Sequence, residues 1–512
     1  MAAVQSSIIS CCCTPLLPPE AAVARSTGKK AGRRLTTTPE GKFFFSVCRA
    51  SSQRREVGVG VGVGVRGRKK ADTDFDIVVV GAGIIGLTIA NRILTTTNLS
   101  VAIVDAAQPC AGATGAGQGY LWMGHRNPRQ KSWELANRSK HLWEEFALDL
   151  VASGLDPLSA IGWRNTGSLL VVNSGKGAQR MQAHVEELVG AGVHADYLPA
   201  SAVREIEPAL CLGDGGAALV PGDSQIDAAL AVALLCKKNS AFHSQGRYME
   251  LLQAPVQQFS RSSTDGSIEV VHTPEHSIQC RRAVVMAAGA WSRSILATVA
   301  EEWALPIIPA VKPRKGHLLV LEGLPYLQLK HGLMEFEYTA NYNPVQTPQF
   351  SHLLDSQEPD HLDFEISSQP TAAGVMQDED FGVAMTASMD PSGHLLLGSS
   401  REFTGFDVGT RNEVLECIMR QASKFLPALA DVSLQQAIGS GRVRTGLRPY
   451  VPDGTPLIGP VPGVPGLLLA TGHEGSGLYL ALGTAEMVVG MITGIEGPVN
   501  STPYSPAGRL SL

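Results

Sequence analysis

Six residues, Gly81-Ala82-Gly83-Ile84-Ile85-Gly86, separate an apolar run from a helical pattern, and their spacing suits the cradling of a dinucleotide pyrophosphate. Gly81 permits a tight turn, Gly83 lets the backbone approach phosphate oxygens, and Gly86 lets the next helix pack close on a sheet. Ile84 and Ile85 open that helix, whose N-terminus favours negative charge. Asp105 follows Gly86 by nineteen residues and is placed to accept hydrogen bonds from a ribose diol. This motif alone serves NAD as well as FAD. Ala111–Gly119 leans toward FAD, because a simple nicotinamide domain would continue into another helix. Backbone at Gly112, Ala113 and Thr114 lies flat against a planar ligand, and the Thr114 hydroxyl reaches phosphate oxygens. Gly289 ends Val284–Gly289, whose small residues allow close contact with a cofactor lying across strand tips. Gly472-His473-Glu474-Gly475-Ser476-Gly477 opens a last helix, its free amides aimed at the N1–C2=O edge of a flavin.

The elements that must hold these groups are legible from periodicity. Phe75–Val80 and Ser100–Val104 are continuous apolar runs, the pattern of parallel strands buried on both faces. With the helical spacing of Gly83–Leu94 between them they form a βαβ unit. Helices are predicted over Pro128–Ser153, Gly177–Val189, Ala228–Cys236 and Arg411–Phe425, and strands over Thr166–Asn173, Gly393–Ser399 and Gly466–Ala470. Ser267–His272 and Ser277–Cys280 read as an antiparallel pair, followed by a separate buried strand, Ala283–Met286. Leu324–Asp380 lacks periodicity and reads as a long loop or insertion.

Together these blocks resemble the D-amino acid oxidase-like superfamily of FAD-dependent oxidoreductases, in its glycine oxidase, sarcosine oxidase and amino-acid dehydrogenase branch. The resemblance runs from about Asp74 to Thr493. It rests on Val80–Gly86, Gly167-Ser168-Leu169 with Ile206–Leu210, Ala288–Trp291, Gly446-Leu447-Arg448-Pro449 with Asp453–Pro456, and Ala470–His473. It implies an α/β fold: a Rossmann-like FAD-binding domain with a second, α+β substrate domain built on a large mixed sheet. The expected division is 72–160, 200–300 and 440–495 for FAD, 161–199 and 301–439 for substrate, and 496–512 as a tail. Arg448 matches the arginine that holds the substrate carboxylate in several members, a task suited to a planar fork; the competing reading is an arginine that fixes the adjacent turn. Tyr338 and Tyr450 are candidate substrate contacts. His473 orders the Gly-rich turn. Where some members carry a second arginine after that histidine, this chain has Glu474-Gly475-Ser476, which puts a two-arginine clamp in doubt. No Cys stands near Arg448 and no His in Gly112–Gly119, so the expected FAD is non-covalent.

The reaction implied is oxidation of the C–N bond of an amino acid or N-substituted amine by hydride transfer, with oxygen or a quinone as electron acceptor. Two other readings stay open: an enzyme for a modified tRNA nucleoside amine, and a largely non-catalytic assembly factor for a membrane redox complex. Charge argues against general nucleic-acid binding. Residues 1–70 hold 13 Lys and Arg against three Glu, leaving 29 basic and 44 acidic residues, a net of −15, in the remainder. The cysteines form no Cys-x-x-Cys pair, so neither a metal site nor a disulfide framework is predicted. No apolar run reaches the roughly 18 residues of a membrane span. Residues 1–56, rich in Ser and Thr and without an acid before Glu20, have the composition of a plastid transit peptide, with a mitochondrial address as the alternative. Residues 57–71 read as a flexible Val-Gly and basic linker.

Overall fold

The computed structural model describes residues 73–300, 310–336, 382–440 and 442–509. In chain order the strands are β1 (Thr73–Val80), β2 (Val101–Val104), β3 (Tyr120–Leu121), β4 (Ser168–Val172), β5 (Asp196–Pro199), β6 (Gly216–Val220), β7 (Ser224–Gln225), β8 (Tyr248–Leu251) and β9 (Gln258–Arg261). They continue as β10 (Ile268–His272), β11 (Ser277–Met286), β12 (Lys312–Leu321), β13 (Gly332–Glu335), β14 (Thr386–Met389), β15 (Leu395–Gly398), β16 (Arg442–Tyr450), β17 (Leu457–Pro460) and β18 (Leu467–Thr471). The longer helices are α1 (Ile84–Thr96), α2 (Trp133–Ala152), α3 (Gly175–Gly190), α4 (Ala228–Ser240), α5 (Asn412–Ser423) and α6 (Gly477–Thr493). The architecture is α/β, as the motif pattern implies.

The first sheet has the order β17-β18-β11-β1-β2-β8, with β10 and β9 added beside β11. From β18 to β8 every neighbouring pair is parallel. β2, β18 and the ends of β1 and β11 bury both faces, which is why they read as unbroken apolar runs. Ile77, Val79, Ile103 and Val285 pack toward α1, α4 and α6, while Val78, Val80, Val104 and Met286 pack with Leu457, Leu467 and Leu469. The second sheet has the order β16-β12-β15-β14-β13-β4-β6-β5, antiparallel except where β13 meets β4. Helix α5 covers one face through Val414, Leu415 and Ile418; α3 covers the other through Met181, Val185 and Leu188.

Three expectations need correction. Ser277–Met286 is one ten-residue strand, not two. Arg281 is solvent-facing and pairs with Asp74 at 2.7 Å, so its charge does not interrupt the strand. Two segments assigned by sequence to the FAD domain contribute strands to the second sheet: β6, paired with β4 and β5, and β16, paired with β12 over nine positions. Gly446 and Pro449 hide the strand character of β16, since both residue types weaken a strand signal. Finally, Glu474–Thr493 is long and apolar enough to cross a membrane by length and composition. Here it is a core helix. Ser139 Oγ and Trp143 Nε1 donate to Tyr479 O at 2.7 and 3.1 Å, and the Glu486 carboxylate accepts from Arg138 Nε at 2.8 Å and Arg92 Nη2 at 2.9 Å.

Candidate active site

The register places Val80 beside both Val104 and Met286, and Met286 beside Leu469, so the carboxyl ends of β1, β2, β11 and β18 form one level edge. The loops leaving that edge carry the glycine-rich motifs, the position at which open α/β sheets bind ligands. Gly81 has φ +118°, and a Cβ there would stand 2.4 Å from Ala287 O, so only glycine suits this crossing of loops. A Cβ at Gly86 would stand 1.9 Å from Gly81 O, which fixes how closely α1 approaches the turn.

Other contacts draw the remaining segments together. Thr114 Oγ1 accepts from Ile84 N at 3.2 Å. Thr471 Oγ1 donates to Gly289 O at 3.0 Å and accepts from Ser292 Oγ at 3.1 Å. A Cβ at Gly446 would stand 2.6 Å from Ala116 Cβ and 3.3 Å from Ala113 Cα, so β16 lies directly against the loop after β2.

These residues fit an FAD. The space beside Gly83 holds only Thr114 Oγ1 at 3.4 Å, beside Gly112 only the Trp291 ring at 3.7 Å, and beside Gly289 nothing within 4 Å. The space beside Gly289 is thus open, and at Gly83 and Gly112 a Cβ would make only ordinary van der Waals contact. Asp105 accepts from Ala82 N at 2.6 Å with one oxygen and from Ala107 N at 2.7 Å with the other. A carboxylate oxygen has two lone pairs, so acceptor capacity toward a ribose remains. The turn after β1 (Gly81, Gly83, Ile84, Ile85, Gly86), the loop after β2 (Asp105, Gly112, Ala113, Thr114) and Gly289 after β11 thus meet at this edge of the sheet.

The turn before α6 does not present the amides of Gly475 and Ser476 free, as its sequence reading expected. His473 is buried, and its Nε2 hydrogen-bonds Thr484 Oγ1 at 3.0 Å. Burial pushes the ring down to about 3, so it is neutral at physiological pH and ties the turn to α6. Ser476 N donates to His473 O at 2.9 Å, which closes the turn ahead of Gly477. Glu474 sits at φ +48°, in the left-handed region unusual for a side chain. Its carboxylate accepts from the Nε and Nη2 of Arg314 and from Gly475 N. Burial opposes ionisation of Glu474, but Arg314, with Arg448 and Arg401 further off, holds its carboxyl down at about 2.

Arg314 is directly opposite Arg448 in the β12–β16 ladder, and Gly316 is opposite Gly446. The guanidinium of Arg448 lies over Gly316, and its Nη1 donates to Ser400 O at 2.9 Å. Tyr450 is two residues further along the strand. Arg314 Cζ stands 4.8 Å from the Tyr450 ring centre, and Phe403 meets that ring edge-on at 5.2 Å. Arg126, Arg314, Tyr450, Pro456, His473 and Glu474 line a cleft of about 50 Å³. Tyr450 lines this cleft and Arg448 lies two residues before it on β16, outside the lining, while Tyr338 lies outside the described residues. Sequence reasoning missed Arg314, Gly316 and Arg126, and treated Glu474 only as a departure. The available signal was alternation: Lys312, Arg314 and Gly316 share one side of β12.

The chain has recognisable relatives among known proteins. The family model described as FAD dependent oxidoreductase matches residues 76–491. A glycine oxidase of Pseudomonas aeruginosa is 42% identical over 118 residues, covering 23% of this chain and 31% of that protein. The chain thus aligns with about a third of that relative's length. Hydrogen cyanide synthase subunit HcnC of the same organism is 24% identical over 473 residues, covering 84% of this chain and 95% of that one. Among solved structures, glycine oxidase from Geobacillus kaustophilus superposes with a TM-score of 0.67 at 20% identity, covering 86% of this chain and all of the other. That last likeness is one of fold.

Proposed function

The chain belongs to the FAD dependent oxidoreductase family, and from that premise we propose that it oxidises the C–N bond of an amino acid or N-substituted amine. The observation that carries this reading is the pair Arg314 and Arg448. Two guanidinium groups stand on neighbouring strands where β16 touches the loop after β2. A guanidinium fork with open donors selects an acid. Arg448 holds the substrate carboxylate, and Tyr450, with Phe403 edge-on behind it, stands beside the cleft. Bound FAD supplies the hydride acceptor. A substrate amine that binds neutral needs no strong base, which suits a site whose histidine is neutral and tied to α6. The imine product hydrolyses to a carbonyl compound and an amine.

The test is anaerobic bleaching of the holoenzyme flavin by amino acids, N-methyl amino acids, cyclic imino acids and simple amines. Reduction by an acid-bearing amine, and not by its decarboxylated counterpart, supports the proposal. A flavin that none of them reduces contradicts it. Oxygen and quinone, added to the reduced protein in turn, identify the acceptor.

We also propose that residues 1–70 direct the chain to the plastid stroma, a reading supported by their Ser, Thr and basic content. A fluorescent fusion of these residues should enter plastids. Retention in the cytosol, or entry into mitochondria alone, would contradict it.

A further inference from the structure

We propose that Glu474 restricts the cleft to substrates with a single carboxylate, by occupying the Arg314 guanidinium that a second carboxylate would otherwise use. This rests on the functional reading above and names the substrate class more narrowly.

Arg314 and Arg448 are cross-strand partners on one face of the sheet, where like charges oppose each other unless an anion lies between them. Two guanidinium groups placed this way offer charge for two carboxylates, one each. In this chain one of the two is taken internally. Glu474 Oε1 accepts from both Nε and Nη2 of Arg314, and the other oxygen is engaged by Gly475 N. Both partners of the ion pair are nearly buried, at 9% and 10% side-chain exposure, so water screens little of the interaction. The Tyr450 ring under Arg314 keeps the guanidinium in place. The carboxylate is fully ionised at neutral pH.

Arg448 is engaged differently. Among the described residues its one hydrogen bond runs to Ser400 O. A guanidinium has five N–H donors, so most of this fork is available to a ligand. Arg126 and Arg401 add positive potential, although Arg126 is stacked over the Tyr479 ring at 4.3 Å and donates to Trp122 O. Arg448, opposite Arg314 on the neighbouring strand, is therefore the fork left to take one acid group beside the cleft. A second carboxylate would find Arg314 already paired and would face the negative charge of Glu474. Discrimination of this kind comes from a built-in repulsive element as much as from an attractive one.

The left-handed backbone at Glu474 supplies a clean variant. Glycine adopts that conformation without steric cost, so Glu474→Gly removes the carboxylate while favouring the native turn. Glu474→Gln removes only the charge. Holoenzyme of the wild type and both variants is titrated with acetate and with malonate, following the flavin absorbance for dissociation constants. Turnover of glycine and of N-(carboxymethyl)glycine is measured alongside, with FAD content as the control. The wild type should prefer acetate over malonate and glycine over its dicarboxylic derivative. In at least one variant that still carries FAD, both ratios should move toward the dicarboxylate by about tenfold or more, equivalent to ~1.4 kcal/mol. Ratios unchanged in both variants, or a wild type that binds malonate as tightly as acetate, would overturn the inference while leaving the amine-oxidation reading intact. If no acid perturbs the wild-type flavin and no amine reduces it, both fall together.

Discussion

The guanidinium of Arg448 rests on Gly316: a Cβ at Gly316 would stand 2.4–2.6 Å from Nη2, Cζ and Nη1 of that side chain. The glycine is thus a seat for the arginine across the β12–β16 ladder. Its Cβ vector is filled by a functional group in place of core.

Gly316→Ala is accordingly expected to displace the Arg448 fork without unfolding the sheet, because the atoms in the way are the far end of a flexible side chain. Specificity constants for acid-bearing substrates should fall by roughly 10- to 1000-fold, the range for loss of a charge-assisted contact in a closed site. FAD content should hold. Steady-state kinetics with flavin stoichiometry checks this; unchanged kcat/KM would mean that the fork has another resting place.

Two glycines of one motif should fail in different ways. At Gly83 a side chain meets only Thr114 Oγ1 at 3.4 Å, so Gly83→Val should leave a folded protein that does not load FAD. At Gly86 a side chain collides with Gly81 O at 1.9 Å, so Gly86→Val should lower Tm or yield no soluble protein. Circular dichroism melts with flavin absorbance separate the two. Normal FAD loading of Gly83→Val would remove the β1–α1 turn from the phosphate site.

Glu474 titrates at about 2 in the fold against an ordinary 4.5. Its folded value is the lower one, so the ionised form stabilises the fold above the unfolded pKa. That contribution is lost as pH falls from about 4.5 through about 2. Its size is at most roughly 3 kcal/mol. The difference in stability between wild type and Glu474→Gln should therefore shrink as pH drops from 6 to 3, approximately the span of this titration. Parallel urea-unfolding curves across that range would contradict the pairing.

Cys110 lies two residues before Gly112, but its Sγ stands 3.9 Å from Ala228 O and burial pushes the thiol up to about 12. A thiol so protonated does not attach a flavin. Acid precipitation should leave the yellow colour in the supernatant. Flavin fluorescence that stays with the denatured chain in a gel would show a covalent link.

Much of the first sheet was legible because its parallel strands are buried on both faces and carry no polar alternation to confuse the reading. The Gly81–Gly86 turn and Asp105 were legible because a phosphate loop restricts residue type at each position. The second sheet was harder. Strand β16 contains Gly446 and Pro449, and β12 begins Lys312-Pro313-Arg314-Lys315-Gly316, a composition that reads as loop. Arg314 lines the cleft and Lys315, on the other face, is buried against Asp407, so ionic contacts take positions where a strand signal expects apolar residues. Arg314 escaped notice for that reason. Glu474 was visible only as an absence of arginine, since the partner that gives it meaning is 160 residues away.

Arg448 carries the carboxylate assignment most directly. Arg448→Lys keeps the charge and loses the two-pronged geometry; Arg448→Met loses both. With the best acid-bearing substrate, Arg448→Met should lower kcat/KM by roughly 30- to 1000-fold, about 2–4 kcal/mol, with FAD content and Tm little changed. Arg448→Lys should fall between that variant and wild type. The decarboxylated analogue of the same substrate should be nearly indifferent to both substitutions. Equal losses for the acid and its decarboxylated analogue would contradict the carboxylate assignment, and a variant that sheds FAD or unfolds would make Arg448 a structural residue of β16.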